Sequence, residues 1–181
     1  LRQDHPDFDI WLEHPLSEDD NGAIDIVLRQ RGKELAIELK YLCQQLAATV
    51  GDKKFALKPQ GAQDIRRYDV FKDVKRMEKF VRDVPGAGAA VVVLSNDPAY
   101  WTGPKKSNTN DAAFSLKEER VATETLAWSE RTGAGTMHGR EDPIPLMNSY
   151  SVAWRDYSKV SSGVPVKFQS FRSLIFPVKA L

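Results

Sequence analysis

Cysteine is nearly absent: Cys43 is the only one in 181 residues. No internal disulfide can form, and the chain suits a reducing, cytoplasmic setting. Histidine is scarce as well. His5, His14 and His138 have no metal-ligand spacing with one another or with Cys43, so no zinc site is expected. No apolar run is long enough to span a bilayer and no signal-peptide pattern opens the chain, so no membrane association is expected. Neither sign of charge is in excess: 26 Lys and Arg stand against 25 Asp and Glu, for a net charge of +1. A surface that attracts nucleic acid must therefore be local. Internal repeats and low-complexity tracts are missing. So is the Gly-x-Ser-x-Gly elbow of serine hydrolases, and "GPKKSNTN" lacks the spacing of a phosphate-binding P-loop.

What is present, 41% hydrophobic and 28% charged residues, fits one globular domain over 1–181. Residues 8–14, "FDIWLEH", alternate as a strand and are followed by a polar turn, "SEDDNG". Residues 23–30 and 34–42 form a hairpin about Arg31-Gly32, and a loop spans 43–60. In "GAQDIRRYDVFKDVKRMEKFVRDV", Val70, Val74, Met77 and Val81 recur at helical spacing, and Pro85-Gly86 ends the helix. "AAVVVLSND", 89–97, reads as a buried strand. Residues 98–110 are loop by composition. Beyond them "ATETLAWSE", "SYSVAWRDYS" and "VKFQSFRSLIFPV" read as strands, with Gly133–Pro145 a loop between the first two. The expected class is α/β (α+β), a mixed sheet flanked by helices over a core of 8–97, with a β-rich C-terminal elaboration over 98–181.

The hairpin carries the chemistry. With the turn at Arg31-Gly32, facing residues have numbers that sum to 63. Ile26 then faces Ile37 and Leu28 faces Leu35, an apolar face that reads as the buried one. The same register sets Asp25 opposite Glu38, with Lys40 two residues on and on the same face. Directly opposite Cβ atoms lie about 4.5–5.5 Å apart, where like charges are unfavourable. A hard divalent cation between them removes the conflict. Mg²⁺ prefers oxygen ligands and keeps waters that can attack a phosphate, with Mn²⁺ as a substitute. The Leu39 carbonyl is a candidate third oxygen. Lys40 would hold or deprotonate the attacking water, or neutralise charge developing on a phosphoryl oxygen. The competing reading is a surface hairpin whose charged face simply meets water.

The helix adds a second line. Its apolar stripe, extended backwards, reaches Arg67 and Gln63, polar groups that need partners on a buried face. An active site at that end of the helix would satisfy them; alternatively Arg67 pairs with Asp64 or another acid. The opposite face, with Lys72, Arg76, Lys79, Asp69 and Asp83, reads as a solvated ion-pair surface.

"IDIVLRQRGKELAIELKY" followed by "KPQGAQDIRRYD" resembles the PD-(D/E)XK nuclease superfamily, the restriction-endonuclease-like fold. That family places an aspartate on one core strand, an acid-x-Lys on the next, and often a Gln on the following helix. Asp25, Glu38, Lys40 and Gln63 match in turn, over residues 8–97. The resemblance implies Asp25 and Glu38 as metal ligands, Lys40 acting on the water, and Gln63 orienting water, Lys40 or substrate. Many members add an acid from a helix before the first strand; here it is expected before Leu1. No proline precedes Asp25, whose neighbour is Ile24. The implied activity is Mg²⁺-dependent DNA hydrolysis; the alternative is a module on the same fold that binds nucleic acid or protein without hydrolysis. A homodimer stays open.

Four residues are assigned to substrate contact: Arg67, Tyr100 for stacking on bases, and Lys105 and Lys106 for phosphates. The competing reading of Tyr100 and Trp101 is that they plug the edge of the core. Cys43 reads as a buried, inert thiol, and Trp128 and Trp154 as core.

Overall fold

The computed structural model describes residues 7–17, 20–104, 106, 108–160 and 165–179. Its architecture is mixed α/β, dominated by a six-stranded mixed sheet. Strands β1 (Asp9–Ser17), β2 (Asp20–Gln30) and β3 (Lys33–Leu42) form an antiparallel meander. The predicted loop 43–60 instead contains a small hairpin, β4 (Leu46–Val50) and β5 (Lys53–Leu57). Helix α1 (Gln63–Asp83) then crosses to β6 (Gly88–Ser95), which lies parallel to β3.

The loop at 98–110 holds a single turn of helix, α2 (Ala99–Thr102). Two-residue bridges follow: β7 (Val121–Ala122), β8 (Thr125–Leu126), β9 (Ile144–Pro145) and β10 (Tyr150–Ser151), with a short helix α3 (Ala134–Met137) among them. The expected strands at 122–130 and 149–158 thus shrink, apart from β11 (Arg155–Lys159), to isolated bridges. Aromatic packing orders that region instead. Trp128 stacks on Tyr68 with ring centroids 5.6 Å apart and meets Phe114 edge-on at 4.9 Å. Finally β12 (Ser170–Val178) pairs with β6, giving the sheet order β1-β2-β3-β6-β12-β11. The C-terminal part therefore completes the central sheet as well as decorating it.

The hairpin register is the expected one. Ile26 faces Ile37, Leu28 faces Leu35, and Gln30 pairs with Lys33 across a two-residue turn. Arg31 and Gly32 both take positive φ, 49° and 75°, the combination of a tight turn that follows the strand twist. The buried face, however, is the other one. Val27 and Ala36 are fully buried in one core with Val70, Val74 and Met77 of α1, whereas Leu35 and Leu39 are 39% and 49% exposed. The reason is the placement of α1, which covers the side of β3 that carries Ala36 and Glu38. On the reverse side, Leu46 and Ala48 of β4 pack with Tyr41, Leu94 and Phe171. Among the described residues no helix is long and apolar enough to cross a membrane.

Candidate active site

The β2–β3 ladder pairs residues up to Ile26 and Ile37 and no further. Beyond that pair the Leu39 N–H donates to Asp25 Oδ2 at 2.6 Å, so a carboxylate replaces the backbone acceptor that β2 would otherwise offer. Asp25 is thereby fixed where the two strands part. Glu38, next to Leu39 on β3, is 2% exposed and points toward α1. Lys40 follows on the same face.

Helix α1 answers these groups with a complementary pair. Arg76 forms an ion pair with Glu38, and Lys40 Nζ lies 2.7 Å from Asp73 Oδ2. Arg76 Nη2 also lies 3.4 Å from Asp73 Oδ1, one helical turn away. The cluster holds three carboxylates and two cations. Burial pushes the Glu38 carboxyl up to about 7. Arg76 and Lys40 oppose that rise, and Asp73 and Asp25 reinforce it. Asp73 is raised too, by burial first, against Lys40 and Arg76.

The ion pairs are close but imperfectly aligned. Glu38 Oε1 and Asp73 Oδ2 touch their cations, yet neither receives a well-directed hydrogen bond among the described residues, and Arg76 Nε is likewise unmatched. Each oxygen nonetheless has a cation against it, so the burial of Glu38 and Asp73 is compensated within the chain. Among the described residues no three His, Cys, Asp or Glu side chains are grouped to hold a metal. The candidate ligands are the two carboxylates of Asp25 and Glu38, a number Mg²⁺ commonly takes from protein, with waters and substrate oxygens completing its shell.

The remaining assigned residues lie elsewhere. Gln63 donates to Asp97 Oδ2 at 2.5 Å, an oxygen that also accepts from Gln44 at 2.8 Å. It sits ten residues before Asp73 on α1, roughly 15 Å along the axis at 1.5 Å per residue. The polar residue that ends the stripe is thus satisfied by the end of β6 and not by the carboxylate cluster. Arg67 is buried, 2.6 Å from Asp111 and lying over the Tyr100 ring. Asp111 is the other acid that the competing reading allowed, and burial there, 6% exposed, corrects the assignment of Arg67 to substrate contact. Tyr100 is 1% exposed, which removes it as a stacking platform; it plugs the core. Lys105 lies outside the described residues, and Lys106 is exposed on its loop. Cys43 is buried, with Sγ 3.3 Å from the Lys58 carbonyl.

Sequence reasoning misses Asp73 and Arg76. It places Arg76 on a solvated face, and Asp69 with it, whereas Arg76 meets Glu38 and Asp69 pairs with Arg140 at 2.7 Å. The available signal is position: Asp73 directly precedes Val74 and so borders the apolar stripe, where a carboxylate needs a partner.

No family model matches this chain, and neither a curated protein nor a solved structure does.

Proposed function

We propose that this protein is a Mg²⁺-dependent phosphodiesterase acting on DNA, built on a restriction-endonuclease-like core of β1, β2, β3, α1 and β6. One observation carries the reading. Asp25 binds the amide of Leu39, which stands between Glu38 and Lys40 on β3; Asp25 and Lys40 both act electrostatically on Glu38, and α1 holds Glu38 and Lys40 through Arg76 and Asp73.

Asp25 and Glu38 would hold the cation, Mg²⁺ or Mn²⁺. When bound, it supplies Lewis acidity and a water of lowered pKa. The chain's own groups do the rest. Asp25, hydrogen-bonded to the Leu39 amide, presents its carboxylate at a fixed angle. Lys40, steadied by Asp73 at 2.7 Å, places an ammonium beside the pair. There it orients the attacking water and offsets negative charge that builds on the phosphoryl oxygens. Arg76 compensates Glu38, which limits the strain of a buried carboxylate. Gln63 and Arg67 stay outside this mechanism.

A second reading has one observation in its favour: Glu38 with Arg76, and Lys40 with Asp73, already form ion pairs within the chain. A module that binds nucleic acid without hydrolysis would keep such pairs. The separating experiment is incubation of the protein with supercoiled plasmid in Mg²⁺, Mn²⁺ or EDTA. Nicking with either metal and none in EDTA supports the phosphodiesterase. Plasmid binding without nicking in any condition supports the second reading.

A further inference from the structure

A groove of about 540 Å³ runs between α1 and residues 139–147. Its helical side carries Lys72, Lys75, Arg76, Lys79 and Arg82, spaced three and four residues apart, so that they form one stripe. Like charges at those spacings repel and destabilise an isolated helix. Internal acids do not account for all of them. Arg76 meets Glu38 and Arg82 meets Asp83, but Lys72 and Lys75 are exposed and have no acidic partner among the described residues.

The facing side is chemically different. Pro143, Pro145, Leu146 and Met147 line it, and Met147 is 41% exposed. This side is also rigidly held. Glu78 of α1 accepts the N–H groups of Met147 and Asn148 and the hydroxyl of Tyr150, at 2.8–3.0 Å. Tyr68 donates to the Asp142 carbonyl at 2.9 Å, and Arg140 grips Asp69. Of the three acids in the lining, Asp73 is held by Lys40 and Glu78 is turned inward, which leaves Asp142 beside the exposed Lys72 and Lys75.

From these features we propose that the groove binds one unpaired strand of nucleic acid, with phosphates on the Lys72/Lys75 stripe and bases against the Pro143–Met147 wall. A cationic side facing an apolar side matches a chain that exposes phosphates along one edge and flat apolar bases along the other. A duplex hides its bases in the stack and offers the apolar wall nothing. An acidic protein segment would use the lysines and leave the wall idle. Asp73 and Arg76, which line the groove, are also the residues that meet Lys40 and Glu38, so the groove and the carboxylate cluster share one stretch of α1. The inference rests on the phosphodiesterase reading only for cleavage of the bound strand, and it assigns substrate contact to Lys72 and Lys75 in place of Arg67 and Tyr100.

The test is fluorescence anisotropy in EDTA, with a labelled oligothymidylate, a duplex of equal length, and unlabelled polyphosphate and polyglutamate as competitors. The single strand should bind at least tenfold tighter than the duplex and outcompete both simple polyanions. The double variant Lys72→Glu, Lys75→Glu should lose at least tenfold in affinity and about 1.4 in salt slope, at roughly 0.7 per phosphate contact. Met147→Asp should weaken the oligonucleotide and leave polyphosphate unchanged. Both variants alter exposed side chains, and melting curves check their folding. Unchanged affinity in the lysine variant, equal binding of duplex, or equal competition by polyglutamate overturns the proposal. Because these measurements exclude metal, strand binding without plasmid nicking sinks the phosphodiesterase alone, and nicking with no effect of the lysine variant sinks the groove alone.

Discussion

Asp25 of β2 accepts the backbone N–H of Leu39 of β3 at 2.6 Å, and the backbone ladder between those strands ends at Ile26 and Ile37. The carboxylate thus has a structural task and a proposed chemical one, and substitutions separate them. Asp25→Asn keeps an acceptor for the amide, so its stability should stay within about 1 kcal/mol of wild type. Asp25→Ala orphans the N–H and should cost about 1–3 kcal/mol. Both should lose plasmid nicking. Urea unfolding and nicking, run side by side, check this, and an Asn variant that cleaves normally would remove Asp25 from the metal site.

Lys40 is expected to be essential for cleavage, and the structure adds a stability cost. Removing it leaves buried Asp73 with Arg76 alone, at 3.4 Å. Lys40→Ala should cost on the order of 1–3 kcal/mol, below the range for fully buried pairs because the lysine is partly exposed. Adding Asp73→Ala should recover part of that loss, which a double-mutant cycle measures. Additive single losses would mean that the pair is not coupled.

Gln63 reverses an expectation. The resemblance assigns it to catalysis, but its amide serves Asp97, roughly 15 Å along the helix from Asp73. Gln63→Ala should cost about 1 kcal/mol for the lost hydrogen bond and change the nicking rate less than twofold. Val74→Ala, at a fully buried site, should cost about 1–3 kcal/mol. A tenfold rate loss in Gln63→Ala would restore the catalytic assignment.

Glu38 sets a pH dependence. Its carboxyl titrates at about 7 in the fold against 4.5 ordinarily, in the company of Arg76, Asp73, Asp25 and Lys40. Between those values the folded state holds a proton that the unfolded chain has lost, so stability falls as pH rises and levels off above about 7. At about 1.4 kcal/mol per pH unit, the interval from 4.5 to about 7 amounts to roughly 3.5 kcal/mol, of which the window from pH 5 to 8 samples the larger part. Asp73, also raised, acts in the same direction. Melting curves in EDTA from pH 5 to 8 should show this decline in wild type and a clearly flatter one in Glu38→Gln. Equal slopes would assign the decline to other groups.

Local periodicity makes much of this molecule legible in its sequence. The 63-sum register holds from Ile26/Ile37 to Gln30/Lys33, and α1 and β6 fall where their apolar spacing sets them. The side of the hairpin that is buried is not legible there, because it depends on which face α1 covers. Alternation records two faces without ranking them. Asp73 and Arg76 escape for a related reason: their partners, Lys40 and Glu38, lie more than thirty residues away in sequence. The bridges β7 to β10 are too short to carry a period, and their order comes from contacts such as Trp128 on Tyr68. Tyr100 and Arg67 resemble binding residues because an exposed and a buried aromatic–cation pair look alike in sequence.

The central claim is that Asp25 and Glu38 together hold a divalent cation. Four melting curves test it most directly: wild type and Glu38→Gln at pH 8, each in EDTA and in about 10 mM Mg²⁺. A cation bound only by the folded state stabilises it by RT ln(1 + [L]/Kd), which at an assumed Kd of about 1 mM is about 1.4 kcal/mol, or a few degrees. Wild type should gain that shift. Glu38→Gln, freed of a charge its surroundings disfavour, should melt at or above wild type in EDTA and gain almost nothing from Mg²⁺. Equal Mg²⁺ shifts in the two proteins would show that this carboxylate pair does not hold the cation, and would contradict the account.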